Sequence, residues 1–455
     1  MAPTSDPAAR ALAAVLGLGL AAAALTPPAG ASPVDVFGLG SRHAAQAGAG
    51  VAAVDDAAAP LVNPAGLARG HGKRFTVGLF GAAANLAIDD RRTDLDEPLG
   101  GLFALTAPAP LGGPLAGRLH VGLAMFVLPG SLARIIARFP DEPFYPYYQG
   151  RTERMVIIPA LAARIRDDLE VGVAANFLAG LGGGLTAREG ATRAIEARVD
   201  ERVPSVARLI VGVTWAPRAD LRLGLAVRQR FDVPFATVAR TEVAGEPIDL
   251  DLRASGQFSP AQATLGATWS RAASRLSLDV TYARWSTYAG PFVEVKSALP
   301  LVGPLAAALP AVPWHDTFAA RTGGELDVGR VVFRAGYGFE TSPVPAVQPG
   351  VTNLLDGPKH TVGLGGGWRW PRAFGGKGLR VDYHIQVQLV GARRLRKTIL
   401  AAGDDGGSFD GLRDEVVDDA NDPATLGAQI SNPGYPSISG GGQVFSGGVT
   451  MELGL

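Results

Sequence analysis

Arginine side chains recur on the polar side of segments in which polar and apolar residues alternate. Four of these arginines are considered as candidate ligand anchors: Arg228, Arg230, Arg334 and Arg380. A guanidinium pairs with a carboxylate through two parallel hydrogen bonds, so each is a candidate anchor for an anionic ligand such as a fatty acid. The alternative is pairing with acidic neighbours, as Arg380 would with Asp382, because the charges of a polar interior tend to neutralise one another. The sequence leaves both interpretations open.

Two connectors between the alternating segments are unusually apolar. In the first, Ser131 is placed to cap a short helix with apolar residues on one face, and an aromatic run follows within 143–148. The second covers 298–314. Apolar patches facing solvent often bind ligands, so these connectors are candidates for capturing a hydrophobic molecule; packing across the mouth of the fold is the alternative. The candidate residues are Leu132, Ile135, Ile136, Phe139, Phe144, Tyr145, Leu301 and Leu305.

Catalytic chemistry has little support. Cysteine is absent, and the six histidines lack the spacing of a metal site. The glycine run at 363–367 is not followed by a helical pattern, as a dinucleotide-binding loop requires, and we expect it to thin a strand. For His384 the sequence supplies no serine and acid partner. We therefore expect a protein that is not an enzyme and that uses no cofactor and no metal.

The amino-acid composition argues against further classes of protein. The chain has 455 residues with 42 basic and 42 acidic side chains, so its net charge is zero and a nucleic-acid partner is not expected. Sixty glycines and four methionines argue against a helical protein. No apolar run in the body of the chain reaches the roughly 20 residues of a membrane helix.

The N-terminus has the pattern of a secretory signal peptide. Arg10 precedes an apolar run over 11–25, and two prolines and the small residues of 29–31 follow. Cleavage after Ala31 is expected and would leave 455 − 31 = 424 residues.

The body alternates with a period of two, which is typical of β-strands. In 379–390, reading LRVDYHIQVQLV, every second residue from Leu379 to Leu389 is apolar or aromatic, and the residues between them are polar. A charged side chain facing lipid at mid-depth costs about 2–4 kcal/mol. In a membrane barrel Arg222, Arg228, Arg334 and Arg380 must therefore point inward.

Fourteen such strands can be counted, with short and long connectors in alternation. The sequence predicts an all-β fold, a 14-stranded antiparallel transmembrane β-barrel, because closure satisfies every strand backbone group in lipid. The long connectors, near 130–152, 233–258, 289–314 and 392–442, are expected on the extracellular side. The predicted strands are 72–88, 99–109, 117–129, 153–165, 169–182, 204–215, 221–232, 259–269, 275–288, 315–327, 330–341, 359–370, 379–391 and 443–455.

Before the first strand, the segment 37–68 reads FGLGSRHAAQAGAGVAAVDDAAAPLVNPAGLA. It is nearly free of bulky side chains, so it cannot form a core of its own but can fold tightly inside another structure. The order of its motifs resembles the N-terminal plug of the FadL/TodX family of outer-membrane channels for hydrophobic compounds. The hairpin at 263–285, ATLGATWSRAASRLSLDVTYARW, is similar to that family too. The plug motifs are the pair Asp55 and Asp56 and the run Asn63, Pro64, Ala65 and Gly66.

The resemblance implies three parts: a signal peptide at 1–31, a plug at 32–70 that closes the lumen, and a barrel at 71–455. It also implies passive uptake across the outer membrane of a Gram-negative bacterium by a monomer in contact with outer-membrane lipid and lipopolysaccharide. The ligand would be a long-chain fatty acid or another hydrophobic small molecule. In the family it is captured by apolar extracellular loops, and plug rearrangement admits it.

The family's exit is lateral, through a kink in the third strand, where this chain carries Gly122. Two other functions stay open from sequence: a general porin or structural barrel, and, third, an outer-membrane lipid hydrolase.

Overall fold

The structure is a computed structural model, and it describes most of the chain after residue 33. The predicted signal peptide lies outside the described residues, as do parts of the long connectors. The described residues are 34–70, 72–93, 99–127, 139–148, 155–179, 182–189, 195–202, 205–243, 246–292, 294–299, 303–306, 309–373, 377–400, 410–413 and 437–455.

The described chain forms a closed antiparallel barrel. Its main sheet has fifteen strands, of which Arg91–Arg92 is a two-residue arm on the first strand, leaving fourteen wall strands. The first strand pairs with both the second and the last, which closes the wall. The wall strands are β1 Arg74–Ile88, β2 Leu99–Pro108, β3 Leu119–Val127, β4 Val156–Arg166, β5 Leu169–Ala179, β6 Ser205–Arg218, β7 Leu221–Arg228, β8 Ala261–Arg271, β9 Ser274–Arg284, β10 Thr317–Val328, β11 Val331–Glu340, β12 Lys359–Trp370, β13 Leu379–Arg396 and β14 Ser437–Gly454. The predicted fold class and strand number are confirmed.

The register follows the predicted alternation. On β13 the side chain of Ile385 is 63% exposed, whereas its neighbours His384 and Gln386 are 4% and 2% exposed. On β11 Phe333 is exposed and Arg334 is buried. The apolar residues therefore face outward, where lipid removes the penalty for exposing them, and the polar residues face the lumen.

Several boundaries differ from the prediction. β13 continues to Arg396 and β14 begins at Ser437, so both extend further than expected. The expected strand 221–232 ends at Arg228, and a separate hairpin of Phe231–Val243 with Glu246–Ser259 follows. The connectors predicted at 233–258 and 289–314 thus contain strands. This second sheet also includes Gly182–Glu189, Ile195–Arg202, Glu294–Leu299 and Gly303–Ala306.

Residues 34–70, here called the luminal segment, lie inside the wall. The segment consists of short helices α1 Val34–Phe37, α2 Ser41–Ala44 and α3 Ala59–Val62, and a 3₁₀ turn at Pro64–Arg69. Its atoms meet inward-facing positions on strands from β3 round to β14, which is possible only from within a closed barrel. Within the described part of the chain, no helix has both the length and the apolar character needed to cross a membrane.

Glycines on the inner wall make room for this segment. Paired glycines face each other across neighbouring strands: Gly172 with Gly212, and Gly224 with Gly266. A Cβ on Gly224 would lie 2.7 Å from Cα of Ala52. We call these residues the glycine belt; its further members are Gly323, Gly336 and Gly363, paired in that order on β10–β12. The glycine run at 363–367 is therefore part of a strand that thins where the luminal segment passes, because Gly363 meets backbone atoms of Ala44, Ala45 and Ala47.

The inner wall has two chemically different sides. Apolar side chains of β2–β6, such as Leu102, Phe126 and Ile158, pack with Leu61 and Leu67 of the luminal segment. Strands β8–β13 instead present mainly polar groups to the lumen. The buried polar residues there include Thr268, Ser277, Asp279, Thr281, Thr317, Glu325, Arg334, Lys359, Asp382, His384, Gln386 and Gln388.

The glycine belt generates a direct prediction. In Gly212→Ala the new Cβ would lie 1.9 Å from Oδ1 of Asn63, so we expect the luminal segment to loosen while the wall stays folded. Hydrogen exchange measured by mass spectrometry should show faster exchange in residues 44–66 only. The control is Gly324→Ala, whose Cβ meets no atom closer than 4.0 Å. Equal exchange in the two variants would contradict the packing account.

Candidate functional site

A small cavity lies between the luminal segment and the polar side of the wall. Its volume is about 110 Å³. Phe37 and His43 of the luminal segment line one side, and Gln262 and Thr264 of β8 line another. The cavity is therefore polar along much of its lining rather than uniformly apolar.

Aromatic side chains close the cavity on the side of the long connectors. Tyr147 and Trp285 line it directly, with ring centroids 6.3 Å apart. The ring centroid of Trp285 also lies 5.6 Å from that of Phe258 and 6.3 Å from that of Trp314. We call this cluster the aromatic cap. Its other members are Phe144, Tyr145, Tyr148, Tyr288 and Phe292.

Hydrogen bonds fix the aromatic cap to the wall. The Tyr145 hydroxyl donates to the carbonyl oxygen of Ala87 at 2.5 Å, and Tyr148 donates to Gln388 at 3.0 Å. Tyr147 donates to Glu340 at 3.2 Å, while Nζ of Lys359 lies 3.9 Å above its ring. Burial raises the pKa of the Tyr145 phenol to about 12, so it remains a neutral donor.

The apolar connector residues predicted to capture a ligand lie in different environments. Phe144 and Tyr145 were expected to face solvent, but they are 1% and 0% exposed. They pack across the mouth, which is the alternative considered above: the Phe144 ring packs edge-on against Phe292, and the Tyr145 hydroxyl is bonded to Ala87 of the wall. Phe139 is 53% exposed, and the backbone of Leu305 belongs to Gly303–Ala306. The remaining candidates, Leu132, Ile135, Ile136 and Leu301, lie outside the described residues.

The predicted anionic-ligand anchors separate into paired and unpaired arginines. Arg334 is held by Glu325 at 2.5 Å and by Asp382 at 2.8 Å. Arg380 contacts Asp382 at 2.5 Å and Asp56 of the luminal segment at 3.3 Å. These two guanidinium groups are therefore occupied by protein carboxylates.

Arg228 is different, because it lines the cavity. Within the described part of the chain no group forms a hydrogen bond or ion pair with its guanidinium. Arg230 is exposed and lies outside the cavity.

An ionic anchor joins the luminal segment to the wall. Arg42 contacts Asp55 at 2.5 Å, Asp56 at 3.5 Å and Glu325 of β10 at 3.2 Å. Burial alone would raise the pKa of Asp55, but the nearby guanidinium groups of Arg42 and Arg69 outweigh it and hold that pKa well below its usual range. The pKa of Asp56 is also lowered: burial opposes ionisation, and Arg42 and Arg380 overcome it. Both carboxylates are thus charged at neutral pH.

Asn63 organises the turn that leads from the luminal segment to β1. It adopts an extended φ of −158°, as a residue before proline prefers, and its Oδ1 accepts from the backbone N–H of Ala65 at 3.2 Å. Its Nδ2 donates to the carbonyl oxygens of Val51 and Val213, at 2.8 and 3.3 Å. The side chain therefore caps the 3₁₀ turn and also bridges it to β6. Pro64 and Ala65 are buried against Gly172, whose absent Cβ leaves space for them.

Asp279 of β9 is a residue that sequence reasoning missed. Its Oδ2 accepts from the backbone N–H groups of Gly50 and Val51, at 2.7 and 2.9 Å. Gly50 has φ of 120°, a conformation that disfavours any other residue. The pattern contained one hint, an acidic residue at an inward position in the middle of a strand, but not its partner.

At Gly122 the wall is continuous. Gly122 lies on β3 and pairs with Thr106 of β2 and with Ala160 of β4. The register of both strand pairs is unbroken at this residue. A Cβ on Gly122 would lie 2.8 Å from Leu67. This glycine therefore accommodates the luminal segment, and the structure shows no kink at the position that the resemblance indicated for lateral exit.

No family model matches the sequence, and no curated protein matches it either. Solved structures do match. A Pseudomonas aeruginosa FadL homologue aligns over 90% of this chain and 97% of its own, with 14% identity and a TM-score of 0.56. The P. putida toluene transporter TodX aligns over 92% and 99%, with 16% identity and a TM-score of 0.57. The CymD monoaromatic hydrocarbon channel aligns over 92% and 98%, with 14% identity and a TM-score of 0.56.

The chain has the fold of these channels. The match covers nearly the full length of both partners, so it concerns the whole barrel. Among the described residues no cluster of His, Asp and Glu suits a metal ion.

Protonation of His43 should weaken the docking of the luminal segment. Burial lowers the pKa of this imidazole to about 4, and both ring nitrogens lack a hydrogen-bond partner. Since the depressed pKa favours the neutral form, docking is strongest above pH 6.5 and weakens as the pH falls towards 4, by at most about 3 kcal/mol. Asp55 and Asp56 stay ionised in that window.

The measurement is hydrogen exchange of the luminal segment at pH 7.0 and pH 4.5, corrected for intrinsic exchange rates. His43→Gln should remove most of the pH effect, whereas the exposed His315→Gln should leave it intact. A pH effect that persists unchanged in His43→Gln would contradict the assignment.

Proposed function

We propose that this protein is an outer-membrane channel for passive uptake of hydrophobic compounds into a Gram-negative cell. The observation that carries the proposal is a closed barrel with an apolar outer face whose lumen is occupied by its own N-terminal segment. The similar solved structures include a toluene transporter and a monoaromatic hydrocarbon channel, which supports a hydrophobic cargo.

In this proposal the luminal segment is a plug that must shift to let a ligand pass. Three features support that role. The segment lies inside the barrel in close contact with the glycine belt. Besides its apolar packing against β2–β6, it is attached through polar contacts, namely the ionic anchor of Arg42, the cap from Asp279 and the bridge from Asn63. Such contacts can exchange with water more cheaply than an apolar core, because water replaces hydrogen bonds but not dispersion contacts.

The ligand route that we propose begins at the apolar connectors. The sequence candidates there are Leu132, Ile135, Ile136, Phe139, Leu301 and Leu305; Phe144 and Tyr145 belong to the aromatic cap. The aromatic cap separates the exterior from the cavity, so its rings must move first. Below it, Leu102, Phe126 and Ile158 give an apolar side of the lumen for the ligand to follow once the luminal segment has shifted.

Tethering the luminal segment tests this proposal. The hydroxyl oxygens of Ser41 and Thr450 are 2.9 Å apart, close enough for a disulfide after substitution of both by cysteine. The chain contains no other cysteine. In cells that express Ser41→Cys with Thr450→Cys, oxidation should abolish most uptake of radiolabelled toluene or palmitate, and a reductant should restore it.

Each single cysteine variant is the control and should transport at the wild-type rate under both conditions. Full uptake by the oxidised double variant would show that the luminal segment need not leave Thr450. Absence of uptake by the wild-type protein in a strain that lacks other channels would contradict the proposed function itself.

A further inference from the structure

The cavity has the features of a site for an anionic ligand. Arg228 is the one cation of the described cavity lining whose guanidinium forms no close ion pair, although the Asp35 carboxylate lies near enough to interact with it. Arg321 is paired with Glu340 at 3.0 Å, and Lys359 with Asp356 at 2.8 Å. The nearby carboxylate of Asp35 is already bound to Arg208 at 2.9 Å and to the Ser259 hydroxyl at 3.2 Å.

An unpaired guanidinium is costly inside a barrel unless an anion or water meets it. A carboxylate ligand would satisfy it with two parallel hydrogen bonds, which are stronger than those between neutral groups. The lining supports such a ligand as well, because Gln262, Thr264 and Thr281 offer further polar groups. A pure hydrocarbon in the same position would leave these groups without partners.

The cavity's size limits the apolar part of the ligand. At about 110 Å³ it is comparable to the cavity of about 150 Å³ that accepts one benzene molecule, and well below the roughly 300 Å³ of the smallest drug-sized pockets. A long alkyl chain would not be enclosed while the luminal segment is docked. Phe37, Tyr147 and Trp285 supply aromatic surface for one ring.

We propose that the cavity binds a monocyclic aromatic carboxylate, with the carboxylate on Arg228 and the ring against Trp285 and Tyr147. The proposal rests on the proposed uptake function and names a cargo class for it. Binding takes place with the luminal segment docked, so the cavity is a resting position for the ligand below the aromatic cap.

The experiment is isothermal titration of benzoate into the purified full-length protein in detergent micelles. Wild type should bind benzoate, and Arg228→Gln should bind it about 10- to 100-fold more weakly, since a hydrogen bond to a charged group is lost. Arg228→Lys should retain part of the affinity because the charge remains. Arg230→Gln, with the same charge change at an exposed position outside the cavity, should bind as wild type does.

Three results would overturn the proposal: no benzoate binding by wild type, equal affinity in wild type and Arg228→Gln, or tighter binding of palmitate with the same dependence on Arg228. If Arg228→Gln fails to fold, the comparison of Arg228→Lys with Arg230→Gln decides. Toluene uptake by cells separates the two claims. If uptake persists in Arg228→Gln while benzoate binding fails in all proteins, only the carboxylate site is wrong; if wild type takes up neither toluene nor palmitate, the proposed function is wrong.

Discussion

Close approach between two polypeptide backbones is the constraint on which the rest of this structure depends. The glycine belt brings the inner wall within van der Waals distance of the luminal segment, as at Gly224 against Ala52 and at Gly336 against Gln46. Side chains on either surface would separate the two. The wall strands therefore carry glycine where they face the segment, and the segment is built from alanine and glycine. The same constraint explains why the segment follows a single path, since only the thin part of the wall can accept it.

Polar contacts on one side of the lumen then hold the segment in position, together with its apolar packing against β2–β6 on the other side. Arg42, Asp55, Asp56 and Glu325 form a charged network in which each buried charge has an opposite charge nearby, as buried ions require. The backbone turn at Gly50 is capped by Asp279, and the last turn is capped by Asn63. These groups are bound to protein partners in the docked state, so the proposed site for an anionic ligand relies on Arg228, whose guanidinium forms no ion pair within the described part of the chain.

Much of the wall was predictable from the sequence, because lipid strongly restricts which side chains can lie on the outer face of the barrel. A charge on the outer face costs several kcal/mol, so the alternation in 379–390 fixes which side chains face the lumen, and strand length follows from membrane thickness. The partners of inward residues were not predictable in the same way. For Arg334 and Arg380 the sequence left open whether a ligand or an acidic neighbour is the partner, and it named only Asp382 beside Arg380. Closure of the barrel brings Glu325 to Arg334 and Asp56 to Arg380. Phe144 and Tyr145 were expected to face solvent because partners such as Phe292 for Phe144 and Gly441 for Tyr145 are more than a hundred residues away in sequence. The strands within 233–258 were missed because that stretch extends beyond the membrane wall, where the rule on charges does not apply.

Single-channel conductance of the purified protein in planar lipid bilayers tests the central claim most directly, because the proposed plug would close the aqueous path through the barrel. The account predicts almost no ion conductance for wild type in symmetric salt at neutral pH, with openings only as brief events. A steady ohmic conductance of the size shown by general porins would contradict it, and would mean that the barrel is an open pore rather than a closed channel for hydrophobic compounds.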